Sequence, residues 1–115
     1  MVIELLTQRY PGMRAWLMQR LTGLVMAIYS VMLVARVFDI KPHDYQSWLV
    51  FFEPWWIKVA SLLFWISLTI HAWLGIRDVL KDYVPNAQMR TVMLNVVITL
   101  LWVYLGWATW LFCTL

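Results

Sequence analysis

A chain of 115 residues that is 63% hydrophobic and only 13% charged cannot clothe a water-facing surface, since soluble domains are about half apolar and about a quarter charged. The mean hydropathy of +0.73 points to the membrane. The formal charge of +3 comes from bases scattered around apolar segments and calls for no nucleic-acid partner, and the single cysteine, Cys113, excludes a disulfide framework or a pair of metal-binding thiols.

Taken along the chain, Tyr10-Pro11-Gly12 stops any helix before the first apolar segment. No charged residue lies between Arg20 and Arg36, between Lys58 and Arg77, or after Arg90. A bilayer core is crossed by about 20 apolar helical residues. The pattern therefore predicts an all-α membrane protein with three transmembrane helices, over about 15–38, 54–80 and 88–115, in one domain spanning 1–115. The first segment is too long for a signal-peptide core and no A-x-A-like site follows it; the N-terminal stretch is also not an Arg- and Ser-rich transit peptide. The expectation is a multi-pass protein of the bacterial inner membrane, translated as it stands.

The connections carry their own signals. Pro42 marks the first loop, Pro54 suits the start of the second span, and Val84-Pro85-Asn86 breaks the chain before the third. The stretch Asp44 to Phe52, DYQSWLVFF, is amphipathic and reads either as a short helix on the membrane surface or as an ordinary loop. Most of the nine tryptophans lie near span ends, where an indole meets the headgroups. Arg9, Arg14, Arg20, Arg77, Lys81 and Arg90 fall on one side, and Arg36, Lys41 and Lys58 on the other. The positive-inside rule then places the N-terminus in the cytoplasm and the C-terminus in the periplasm.

Four positions could carry chemistry. His71 sits within the second span among apolar or small neighbours, about 10 Å from its cytoplasmic end. An ionisable side chain at that depth is a functional candidate, and imidazole is a common axial ligand of haem iron; the alternative is a histidine that hydrogen-bonds a neighbouring helix. Gly75, one turn on, leaves room on the same face for a flat macrocycle or for a closely packed helix. Arg20 lies one to two turns into the first span, at a compatible depth, and its fork suits a haem propionate; the alternative is an arginine snorkelling to the headgroups. Asp82-Tyr83 follows on the same stripe as His71, Gly75 and Asp78 if the helix continues. A phenol beside a carboxylate at the membrane edge can donate a hydrogen bond to a quinone carbonyl; taken alone, Asp82 reads more readily as a solvated charge paired with Arg77, Lys81 or Arg90, and Tyr83 as an interfacial aromatic. Asn95 reads as glue between helices and His43 as a solvated loop residue. No second histidine lies in a span, so haem ligated by two histidines needs a second polypeptide.

The segment His71 to Val84, HAWLGIRDVLKDYV, resembles the hydrophobic membrane-anchor subunits of bacterial succinate dehydrogenase, the succinate:quinone oxidoreductase of respiratory complex II. The matching positions are His71, Trp73, Gly75, Asp82 and Tyr83, with a shorter match at QRLTGL, Gln19 to Leu24, and a three-span layout over nearly the whole chain. The resemblance implies that His71 is one axial ligand of a haem b, the other coming from the cytochrome b subunit, and that Arg20 holds a propionate. It implies that Tyr83 hydrogen-bonds ubiquinone with Asp82 shaping the site. It also implies docking of an iron–sulfur subunit and of a flavoprotein that carries FAD and oxidises succinate, so that the succinate chemistry lies outside this chain. Arg77-Asp78 departs from the less polar residues often found there and alters the charge near the quinone site. Two rival readings remain: a structural anchor without haem, in which His71 is a packing residue, and a small transporter or channel subunit. The second would usually line a path with ionisable residues, whereas here His71 is alone at depth.

Overall fold

The computed structural model describes residues 12–115; Arg9, Tyr10 and Pro11, used above for orientation and as a helix stop, lie outside them. Four helices follow in order: α1 Met13–Ile40, α2 Tyr45–Phe51, α3 Trp55–Tyr83 and α4 Ala87–Thr114. The three long ones are each long and apolar enough to cross a membrane, and no strand occurs among the described residues. They form a flat slab of about 49 × 35 × 22 Å in which α3 is central, packed on α1 to one side and α4 to the other.

The helix ends follow from local chemistry. Gly12 precedes α1 with φ 88°, a left-handed conformation that glycine adopts without a Cβ clash. At the far end Lys41 takes the left-handed cap (φ 53°) and its N–H bonds Val37 O, just before Pro42. The stretch after it is a helix, not a loop. Asp44 accepts from Ser47 N at 2.8 Å while Asp44 N donates to Ser47 Oγ at 3.0 Å, a reciprocal capping box that starts α2. Pro54 stands at the N-cap of α3 rather than inside its first turn. Asn86 caps α4 by accepting from Gln88 N and Met89 N.

α3 runs three residues beyond the expected end at 80. Nothing disfavours helix until Val84, which Pro85 forces into extended backbone (φ −114°, ψ 96°). His71, Gly75, Asp78 and Asp82 therefore do lie on one continuous helical stripe. His71 is about 18 Å from Tyr83 along the axis, at about 1.5 Å per residue, farther from the helix end than a helix stopping at 80 would place it.

Buried side chains are few and concentrate where α1 meets α3, among them Thr22, Tyr29, Ser61 and Leu74. Large apolar residues elsewhere point outward, as lipid and partner helices permit. The α1 contact is built from a polar stripe at seven-residue intervals. Thr22 meets His71, and Tyr29 Oη lies 2.7 Å from Ser61 Oγ while its ring stacks on Phe64. Arg36 donates twice to Phe51 O, at 2.8 and 3.2 Å, with its guanidinium 4.9 Å from the rings of both Phe51 and Trp56. α1 is thus held at three levels, and α2 is tied to its far end.

Candidate functional site

Gln19, Arg20 and Gly23 on α1 and His71 on α3 line one cleft of about 360 Å³, together with Trp16, at the end of the bundle where α1 begins. Arg20 and His71, 51 positions apart in sequence, are thereby brought together. The reason is local: spacings of four and three residues put Trp16, Arg20 and Gly23 on one face of α1, and α3 returns antiparallel with His71 opposite that face. Arg20 is exposed, its guanidinium 5.4 Å from the centre of the Trp16 ring, so its fork remains available to a ligand.

The imidazole of His71 presses its Nδ1–Cε1 edge onto α1. Nδ1 lies 3.2 Å from Thr22 Oγ1, and a Cβ built on Gly23 would sit 3.6 Å from Cε1. Nε2 forms no hydrogen bond among the described residues. Thr22 is buried, and its hydroxyl also stands 2.7 Å from Met18 O. Gln19 adds an unusual feature: its Oε1 is buried and has no hydrogen-bond partner among the described residues. A buried amide oxygen without a donor is costly.

The other motif positions diverge. Gly75 faces α1, where an added Cβ would lie 3.6 Å from Gln19 Nε2. That is an ordinary contact with the end of a flexible side chain. Trp73 turns the other way and lines an apolar groove of about 290 Å³ between α3 and α4. Asp82 and Tyr83 are exposed at the end of α3, Tyr83 by 80%, and Asp82 has no ion-pair partner among the described residues. Arg77 pairs instead with Asp78 at 3.4 Å, and Arg90 donates to Val84 O. His43 is exposed beside Asp44, as a solvated residue would be.

Asn95 does not act as expected. It is exposed and makes no side-chain hydrogen bond among the described residues, so it joins no two helices within this chain. α4 is apolar all round, and its sequence does not reveal which face turns to α3.

Sequence reasoning gave Arg20 a role but passed over its neighbours Gln19, Thr22 and Gly23. A signal was present: Thr22, Tyr29 and Arg36 repeat at seven-residue spacing along an otherwise apolar helix, a seam that faces a partner helix.

The fold and cleft define a three-span membrane protein with a polar site open at one end of its bundle. The chain belongs to the succinate dehydrogenase/fumarate reductase transmembrane subunit family, whose model matches residues 4–105. It is similar to succinate dehydrogenase hydrophobic membrane anchor subunits from several bacteria. That of Coxiella burnetii is 33% identical over 97 residues, covering 84% of each chain. That of Rickettsia felis is 29% identical over 99 residues, 82% of this chain and 78% of the relative. That of Rickettsia typhi is 34% identical over 88 residues, 75% and 69% respectively.

Proposed function

We propose that this chain is the haem b-binding, quinone-site-forming membrane-anchor subunit of a succinate dehydrogenase, passing electrons from succinate oxidation in partner subunits to ubiquinone. The observation that carries this reading is the shared cleft of His71 and Arg20, two residue types suited to an iron and to a propionate, at one level of the bundle.

The donor set fits a haem held between two chains. His71 offers one imidazole and Arg20 a planar fork on the same cleft. The chain's other histidine, His43, lies in the connection between α1 and α2, so a second histidine ligand would come from the cytochrome b subunit. Bound there, haem b would supply a one-electron redox centre within the membrane. Gly23 and Gly75 both lie on the contact between α1 and α3, where an added Cβ would meet His71 and Gln19 respectively at 3.6 Å, an ordinary contact.

Tyr83 would donate its phenol proton to a carbonyl oxygen of ubiquinone, with the Asp82 carboxylate beside it setting the local charge. Their exposure leaves both open to a ligand and to the docked iron–sulfur subunit. FAD and the iron–sulfur clusters belong to the flavoprotein and iron–sulfur subunits. The chain sits in the bacterial inner membrane with its N-terminus cytoplasmic, which puts the cleft and Tyr83 on the cytoplasmic side, within reach of those subunits.

Purification in mild detergent tests the assembly: flavin- and iron–sulfur-bearing partners co-purify, and a preparation without them refutes it. His71→Ala tests ligation through the reduced-minus-oxidised spectrum. A haem-to-protein ratio and spectrum equal to wild type refute ligation by His71.

A further inference from the structure

The contact between His71 and Thr22 determines more than packing. Thr22 Oγ1 carries one hydrogen and stands 2.7 Å from Met18 O, 3.2 Å from Gln19 O and 3.2 Å from His71 Nδ1. Carbonyl oxygens only accept, and the shortest contact is the one to Met18 O, so the hydroxyl hydrogen goes there. The remaining role of Oγ1 toward His71 is as acceptor. Its partner Nδ1 must then carry the ring hydrogen, which leaves the lone pair on Nε2.

We propose that Thr22 is the positioning residue of the haem ligand: it selects the Nδ1–H tautomer of His71, fixes the ring's rotation and thereby makes Nε2 the iron-binding atom. This rests on the haem reading above. Three observations support it together. Thr22 is only 5% exposed, so no water competes for its hydroxyl. The bond to Met18 O within α1 holds that hydroxyl in one rotamer. The adjacent Gly23 receives the Cε1 corner of the ring, so the Nδ1–Cε1 edge is seated on α1, while Nε2, the next ring atom, makes no hydrogen bond among the described residues and is left for a ligand. A hydrogen bond accepted from the non-ligating nitrogen also raises the basicity of the ligating one, which favours ferric over ferrous iron.

The test uses the purified complex with Thr22→Val, which keeps the shape and deletes the hydroxyl, and Thr22→Ser, which keeps the hydroxyl. Subunit stoichiometry establishes that each assembles. The expected result for Thr22→Val is a loss of haem affinity of about 10–100-fold, read as haem transferred to a competing apoprotein. The haem that remains has a raised midpoint potential, by about 59 mV for each tenfold change in relative affinity of a one-electron couple. Thr22→Ser restores both. If Thr22→Val matches wild type in retention and potential while His71→Ala is haem-free, Thr22 has no such role and the haem reading stands. If Thr22→Ser fails as badly as Thr22→Val, the shape of the residue matters and not its hydroxyl, and the proposal is wrong. A wild-type complex that carries no haem, or whose haem survives His71→Ala unchanged, overturns the haem reading and this inference with it.

Discussion

Replacing Arg36 by alanine should release α2 from the bundle. The last carbonyls of a helix lack intrahelical partners, and the guanidinium supplies one for Phe51 O through two donors at 2.8 and 3.2 Å. A hydrogen bond from a charged group is worth about 1.5–3 kcal/mol. The guanidinium is also sandwiched 4.9 Å from the Phe51 and Trp56 rings, and each such contact adds about 0.5–1 kcal/mol at a partly exposed site. Allowing for overlap between these terms, Arg36→Ala should cost about 2–4 kcal/mol of local stability, a rise in the opening equilibrium of about 30- to 1,000-fold at 1.36 kcal/mol per tenfold. Hydrogen–deuterium exchange of the complex in detergent, read on a peptide covering 45–51, should show amide protection falling by the smaller of this factor and the wild-type protection itself. Arg36→Lys, which keeps the charge but cannot fork or stack as a plane, should fall between. Protection of 45–51 that is unchanged in Arg36→Ala would refute the reasoning, because α2 would then be held by its buried Phe51 alone.

Tyr83→Phe should lower succinate–quinone reductase activity and leave succinate oxidation by an artificial acceptor nearly intact; the lost hydrogen bond is worth about 0.5–1.5 kcal/mol, so the effect should be about 2- to 13-fold, and equal losses in both assays would indicate failed assembly. Gly23→Ala should retain haem, because its Cβ would meet His71 Cε1 at 3.6 Å, an ordinary contact. Gly23→Leu should lose haem by displacing the ring, as measured by the haem-to-protein ratio. Ser47, through its hydroxyl first and then its backbone N–H, holds the Asp44 carboxyl below the ordinary aspartate value. The cap's contribution to α2 should therefore be fully present above that ordinary value and disappear as the pH falls through the folded one, followed by exchange of the same 45–51 peptide; an effect centred near neutrality would contradict this assignment.

Three spans were legible in the sequence because the bilayer excludes charge. The uncharged runs 21–35, 59–76 and 91–115 leave no other solution. The end of α3 was placed three residues early, at 80, although Pro85 dictates extended backbone only from Val84. The histidine of the second span stood out because it is ionisable against an apolar background, and the Asp82-Tyr83 pair stood out through the family resemblance. The status of 44–52 was not legible, because the capping box depends on Ser47 as much as on Asp44 and was read only as amphipathicity.

Tertiary structure alone decided which faces meet. In a helix that is apolar all round, periodicity carries little information about which side turns inward, so Asn95 was placed between helices and proved to face outward. For the same reason the pairing of Thr22 with His71 could not be read from either helix separately. Sequence determined that a histidine lies at depth and that an arginine lies at a compatible level. The antiparallel packing of α1 on α3 decided that the two share a cleft and which edge of the imidazole is seated on α1.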